Sequence, residues 1–405
     1  MRLARGVRSG LCLSLLSGML FLLGSQVLLP EPQLSRNDLH LLWLVSTQDR
    51  FVELESQGRP ALYLHPDLAF GLGNGEESFL KKKPPGVVRV FCVGGSTTRG
   101  WPFLGLASYP RLLALLLQDV LPGRKIELVN AGVMGSDSTS DLPLVRELLR
   151  YSPDLILLYE GRNEAVSAGL HRGAQGLALR AHGLLLRRCR LYARLKTRLV
   201  SDFREPFDHA EAVRDWTGAA ERPEVLKRVL RRNLRAMAAA AARRDTPVVL
   251  LTQVAAPEER ESGAPIVAVN AWLREFAAAE GLPLIDVAAA FQDPAPDGAR
   301  RVIPVSVHPD LAGYALLARS VGRGLAERGL LGVPAAGWRW ERGRGDADYI
   351  RALDLKAAEL GEVYARLGRL LTELQAPDAA ARYRALAQRL GRRSPSAQRL
   401  RDGDL

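Results

Sequence analysis

The residues best suited to chemistry in this chain are Ser96, Gly135, Asn163 and His308, each of which follows a short apolar run or opens a helical one. Ser96 stands after Gly94-Gly95 at the end of the run 88–93 and begins Ser96-Thr97-Thr98. Two glycines permit a sharp turn that leaves the serine hydroxyl and its backbone N–H at the carboxyl end of a strand, the edge where open α/β sheets bind ligands. A serine so placed is either a nucleophile or the cap of the helix that follows. A phosphate-cradling loop does not fit, because no Gly-Lys-Ser/Thr follows and the Gly-x-Gly-x-x-Gly spacing is absent. The segment 130–138 contains Gly132 and Gly135, and a glycine there brings a backbone N–H close to a reacting oxygen or simply makes a turn. Tyr159-Glu160-Gly161-Arg162-Asn163-Glu164 supplies an amide donor, Asn163, and a carboxylate, Glu164, able to hold its loop through backbone N–H groups. His308, in Val307-His308-Pro309-Asp310, is either a helix-entry residue or a base. A serine, an imidazole and convergent N–H donors make up the set that nucleophilic attack on a carbonyl requires.

The elements that position these groups are legible from hydrophobic pattern. Apolar runs at 88–93, 126–130, 155–159, 248–252 and 284–287 alternate with helical patterns at 109–120, 140–151, 223–243, 265–280 and 312–328. Strands that are continuously apolar and separated by helices predict a buried parallel sheet with helices on both faces, a doubly wound α/β domain over 87–330. The four candidate groups then fall at the carboxyl ends of successive strands. Residues 161–222 form an oversized connection with a basic, leucine-rich helix at 177–200, which reads as a substrate lid, a cap or a surface for anionic headgroups.

Three further regions flank this domain. Residues 31–86 read as a linker or pre-domain segment ending in Lys81-Lys82-Lys83-Pro84-Pro85-Gly86. The tail 337–405 reads as helices, and Tyr364, Leu367, Gly368, Ala380 and Ala387 fall at spacings similar to one tetratricopeptide repeat. A lone repeat cannot bury its own face, so the tail packs on the main domain or on a protein partner. At the other end, Arg2, Arg5 and Arg8 precede the uncharged segment 9–29, which at about 20 residues is long enough to cross a bilayer. Positive residues before it predict a cytoplasmic N-terminus and a single-pass anchor within 1–30, with the main domain outside the cytoplasm; a cleaved signal peptide is the competing reading.

Composition excludes several classes. The net charge of +12 comes from arginines dispersed through alanine- and leucine-rich helices, without RNA-binding aromatic motifs or zinc-finger spacings, so a nucleic-acid partner is not expected. The cysteines, Cys12, Cys92 and Cys189, have neither disulfide-framework nor metal-ligand spacing, and no cofactor motif is present.

Taken together, the segments around Ser96, Gly135, Asn163 and His308 resemble the SGNH or GDSL family of serine esterases and acyltransferases, over about 87–328. The Gly-Gly-Ser-Thr-Thr form is similar to a bacterial subset with membrane anchors and helical-repeat extensions. The resemblance implies a three-layer, flavodoxin-like α/β/α domain with a five-stranded parallel sheet and no cofactor or metal. It makes Ser96 the nucleophile, His308 the general base, and the Ser96 N–H, Gly135 and Asn163 the oxyanion hole, with Gly132 the neighbour that confuses the register. The implied activity is cleavage of an acyl ester, for instance an O-acetyl group on an envelope polysaccharide. Acyl transfer to a cell-surface polymer and a non-catalytic scaffold are the alternatives. Two departures stand out. Where the family places an aspartate three residues before the histidine, this chain has Val305, which leaves Ser306, Asp310, Asp293, Asp297 or a backbone carbonyl as candidates for orienting His308. Gly95 stands where the family more commonly has aspartate, and Asp286 reads as a structural loop-holder.

Overall fold

The computed structural model describes residues 49–65, 68, 78–164, 181–186, 189–199, 223–257, 265–292, 301–304 and 306–391. The expected anchor in 1–30, Asp293, Asp297, Val305 and much of the insertion 161–222 lie outside these residues. Among the described residues no helix is long and apolar enough to cross a membrane. The chain divides into two compact units, one of 1–46 and 169–208, the other of 47–168 and 209–405.

The second unit begins with three antiparallel strands, Phe51–Ser56 (β1), Arg59–Leu64 (β2) and Ser78–Leu80 (β3). It continues through Val87–Gly94 (β4), the single helical turn Ser96–Arg99 (α1), Tyr109–Val120 (α2), Lys125–Asn130 (β5), Ser138–Leu148 (α3) and Leu155–Tyr159 (β6). In the first unit, Arg190–Leu199 (α4) buries Ala193, and Tyr192 Oη lies 2.6 Å from His182 Nδ1. The second unit resumes with Pro223–Ala242 (α5), Val248–Leu251 (β7), Pro265–Glu280 (α6), Leu284–Ile285 (β8), Leu311–Glu327 (α7), Asp346–Arg351 (α8), Ala357–Glu373 (α9) and Pro377–Gly391 (α10).

β4 to β8 form the expected five-stranded parallel sheet, in the order β5-β4-β6-β7-β8. Every residue of β6 and β7 is buried, as strands covered on both faces require. Side chains alternate across the sheet. Val90, Cys92, Leu157 and Val249 face the core shared with α2 and α7, while α3, α5 and α6 pack against one another as a separate helical layer. Ser108 caps α2 by accepting from Arg111 N, and Asp137 with Ser140 forms a reciprocal capping box that starts α3 two residues earlier than the apolar pattern predicts.

Within the segment expected as a linker or pre-domain piece, Phe51–Ser56, Arg59–Leu64 and Ser78–Leu80 are strands. Gln57 and Gly58, both at positive φ (51° and 73°), make a tight two-residue hairpin between β1 and β2. The resulting strap is fastened to the main domain: the backbone N–H groups of Arg50 and Phe51 donate to the Glu147 carboxylate at 2.6 and 3.0 Å. Phe79 packs edge-on against Phe51, Phe91 and Tyr151. The tail is an α9–α10 helix pair that shares the main core, with Leu360, Val363, Tyr364 and Leu367 buried and Tyr364 6.3 Å from Phe103. Gly368 lets the pair close, since a Cβ there would sit 2.7 Å from Arg384 Cγ.

Candidate active site

β4 ends in a turn that only glycine can make. Gly94 sits at φ 153°, where a Cβ would fall 2.6 Å from the Tyr159 carbonyl oxygen. At Gly95 a Cβ would lie 2.5 Å from Asn163 Nδ2, which accounts for glycine in place of the family's commoner aspartate. The cap position of α1 is taken by Gly95, not by a serine or threonine side chain. The Ser96 hydroxyl is directed elsewhere: its Oγ lies 2.7 Å from His308 Nε2.

His308 is buried on a loop that folds back on itself. Its carbonyl accepts from Ile303 N at 2.9 Å, and Ser306 N donates to Ile303 O at 3.1 Å. This tight turn places Ser306 Oγ 3.0 Å from His308 Nδ1 and 3.3 Å from the His308 backbone N–H, which donates to it. In the tautomer that activates Ser96, Nδ1–H donates to Ser306 Oγ and Nε2 accepts from the Ser96 hydroxyl. The Trp101 ring packs on the imidazole at 4.4 Å, and Tyr314 Oη holds the Trp101 carbonyl at 2.6 Å. Of the two orienting candidates that are described, Ser306 reaches the imidazole. Asp310 instead caps α7, accepting from Gly313 N at 2.7 Å, with burial pushing its carboxyl up to about 6. Asp286 holds Thr252 and Arg274, a structural role.

Gly132 and Gly135 sit in different surroundings. Gly132 is wedged against α1, where a Cβ would lie 2.6 Å from Arg99 N, and its own N–H donates to Asn130 Oδ1 at 3.0 Å. Gly135 is the left-handed residue of the loop, at φ 66°. The next residue, Ser136, accepts from Asn163 Nδ2 through its carbonyl at 2.7 Å. Glu164 holds the start of α3, accepting from Ser138 N at 2.8 Å and Ser138 Oγ at 3.0 Å; burial chiefly, and Asp137 next, push its carboxyl up to about 8. Ser96, Thr97, Ser136, Arg162 and Asn163 line a small opening at this edge of the sheet. Burial pushes the nearby Cys92 thiol up to about 12, so it does not compete as a nucleophile. Among the described residues no cluster of three or more His, Cys, Asp or Glu side chains is arranged to hold a metal ion.

Sequence reasoning missed Ser136 and Trp101, whose roles come from the folding of their loops and leave no spacing signal.

A serine–histidine pair at the carboxyl edge of a parallel five-stranded sheet points to a class, and comparison with known proteins supplies the family. Residues 92–316, more than half of the chain, match the family model described as the GDSL-like lipase/acylhydrolase family, and the chain belongs to that family. No curated protein matches the sequence. Similar solved structures include a putative lipolytic protein of the G-D-S-L family from Desulfitobacterium hafniense DCB-2 (16% identity, 59% of this chain, 99% of that one, TM-score 0.38). Others are the acetylxylan esterase Axe2 from Geobacillus stearothermophilus (18%, 59%, 94%, 0.39) and the lipase/acylhydrolase from Enterococcus faecalis (21%, 60%, 96%, 0.38).

Proposed function

We propose that this protein is a serine hydrolase that cleaves an acyl ester through a Ser96–His308 dyad oriented by Ser306. The observation that carries the reading is the 2.7 Å contact between Ser96 Oγ and a buried His308 Nε2. As Ser96 Oγ attacks the ester carbonyl carbon, Nε2 takes its proton. Charge develops on the carbonyl oxygen, and the Ser96 N–H, the Gly135 N–H and the Asn163 amide are the donors for it. The imidazolium then protonates the departing alkoxide, which leaves an acyl-Ser96. A water molecule gives its proton to Nε2, attacks the acyl carbon and releases the carboxylic acid, restoring the hydroxyl. The orienting group here is a neutral hydroxyl, so it fixes the tautomer without contributing a full negative charge to the imidazolium.

The arginines before the apolar segment 9–29 support an anchored chain whose catalytic domain works outside the cytoplasm. A surface acyl ester, such as an acetyl group on an envelope polysaccharide, is the substrate class that fits this location. The test is p-nitrophenyl acetate hydrolysis by the wild type, Ser96→Ala and His308→Ala. Turnover lost in both variants supports the reading, and equal turnover in all three overturns it. Adding an acceptor sugar separates hydrolysis from transfer, because a transferase shifts product from acetate to acetylated sugar. Protease accessibility of the domain in intact cells and spheroplasts tests the location.

A further inference from the structure

Behind the loop that carries Gly135, two carboxyl groups unused by this chemistry face each other. Asp141, in the first turn of α3, and Glu160, directly after β6, are 0% and 2% exposed and within hydrogen-bonding reach of one another. Asp141 Oδ2 accepts from Ser136 Oγ at 2.8 Å, and that Oγ also lies 3.2 Å from the Gly94 carbonyl oxygen. Asp141 Oδ1 and Glu160 Oε1 are buried without a hydrogen bond from any donor. Ionised carboxylates only accept, so two that touch in a buried site are compatible only when one carries a proton and donates it to the other. The surrounding charges are mixed. Arg50, ahead of β1, lies near Asp141 and donates from Nη2 to Ser140 O at 2.7 Å; Asp137 adds negative charge, Glu164 adds it once its own proton is lost, and Arg162 follows two residues after Glu160. Burial, and then the charge of Asp141, push the Glu160 carboxyl well above the usual carboxylate range.

We propose that Asp141 and Glu160 share one proton and act as positioning residues for the oxyanion donors, through Ser136. Ser136 is the link: its side chain rests on Asp141, its carbonyl holds the Asn163 amide, and it directly follows Gly135. Loss of the shared proton sets two buried carboxylates against each other, shifts Ser136, and moves both donors away from the developing oxyanion. This inference rests on the hydrolase reading of Ser96.

Two measurements test it. The first is the pH profile of p-nitrophenyl acetate turnover for the wild type, Glu160→Gln and Glu160→Ala. The wild type is expected to lose kcat on the alkaline side, on the order of 10²-fold with KM little changed, the scale of displaced transition-state donors. Glu160→Gln has an amide N–H that donates to Asp141 at every pH, and its profile should be flat over the same range. Glu160→Ala should be slow throughout. The second is infrared spectroscopy on the Ser96→Ala protein, which does not depend on turnover. The protonated carboxyl band at neutral pH should contain a component that is lost on alkalinisation and is missing from Ser96→Ala/Glu160→Gln, where only the Glu164 contribution remains. Identical neutral-pH bands in Ser96→Ala and Ser96→Ala/Glu160→Gln, or an alkaline fall that persists in Glu160→Gln, overturns the proposal. A Glu160-dependent band without any turnover by the wild type overturns the hydrolase reading and the positioning role with it, while leaving the shared proton established.

Discussion

Replacing Ser306 with alanine isolates what a hydroxyl does where the family normally has a carboxylate. Ser306 Oγ lies 3.0 Å from His308 Nδ1 and accepts from the His308 backbone N–H at 3.3 Å. A neutral hydrogen bond contributes a net of about 0.5–1.5 kcal/mol, and a tenfold rate change corresponds to about 1.36 kcal/mol. If Ser306 only orients the imidazole, Ser306→Ala should lower kcat by about 2- to 13-fold, with KM nearly unchanged. A carboxylate in this position does more, since converting it to an amide in the chymotrypsin-type triad costs about 10⁴ in kcat. The same substitution leaves two buried N–H groups without their acceptor, so a stability loss of about 1–3 kcal/mol should accompany the modest rate loss. Steady-state hydrolysis of p-nitrophenyl acetate, measured well below the variant's melting temperature, gives the rate term; urea unfolding gives the stability term. A rate loss above about 10³ would refute the neutral-orienter argument, because one uncharged hydrogen bond cannot supply it. An unchanged kcat would show that something else fixes the His308 ring.

Other substitutions probe the rest of the account. Gly95→Ala introduces a Cβ 2.5 Å from Asn163 Nδ2, and displacing that donor should lower kcat on the order of 10²-fold while circular dichroism stays native. The folded protein keeps the Glu164 proton up to about pH 8, whereas the unfolded chain releases it near the ordinary glutamate value of about 4.3. Between those values the native state binds more protons, so stability should fall as pH rises from about 5 to 8. Thermal melts of Glu164→Gln should show a shallower fall, and an equal fall would refute the assignment. Glu147→Ala removes the carboxylate that accepts from Arg50 N and Phe51 N, and should cost about 1.5–3 kcal/mol in chemical unfolding and expose the β1–β2 hairpin to proteolysis.

The central sheet was legible because β6 and β7 are continuously apolar and β4 is interrupted only by Arg89, and burial on both faces demands that pattern. Boundaries shifted where local chemistry overrode hydrophobicity. Asp137 starts α3 early, and β8 is two residues long because 287–291 turns into a 3-10 helix. The strap was missed although Gln57-Gly58 between alternating runs is a hairpin signal; the triple lysine and two prolines beside it suggested a linker. Within the site, the serine, glycine, asparagine and histidine could be named because their four segments resemble those of the family and fall in order at the ends of apolar runs. Asp310 shows the limit of spacing. An acid two residues after a histidine looks like an orienter, but the same acid three residues before Gly313 is a helix cap, and the cap is what forms. The Asp141–Glu160 pair was invisible, since charged residues near loops ordinarily face water and only the folded packing shows them buried.

The most direct test of the central claim is peptide mapping by mass spectrometry after treatment with a fluorophosphonate. A covalent adduct on the peptide containing Ser96, strongly reduced in His308→Ala and absent in Ser96→Ala, is the predicted result. A folded wild-type protein that carries no adduct at Ser96, or one labelled equally well without His308, would contradict it.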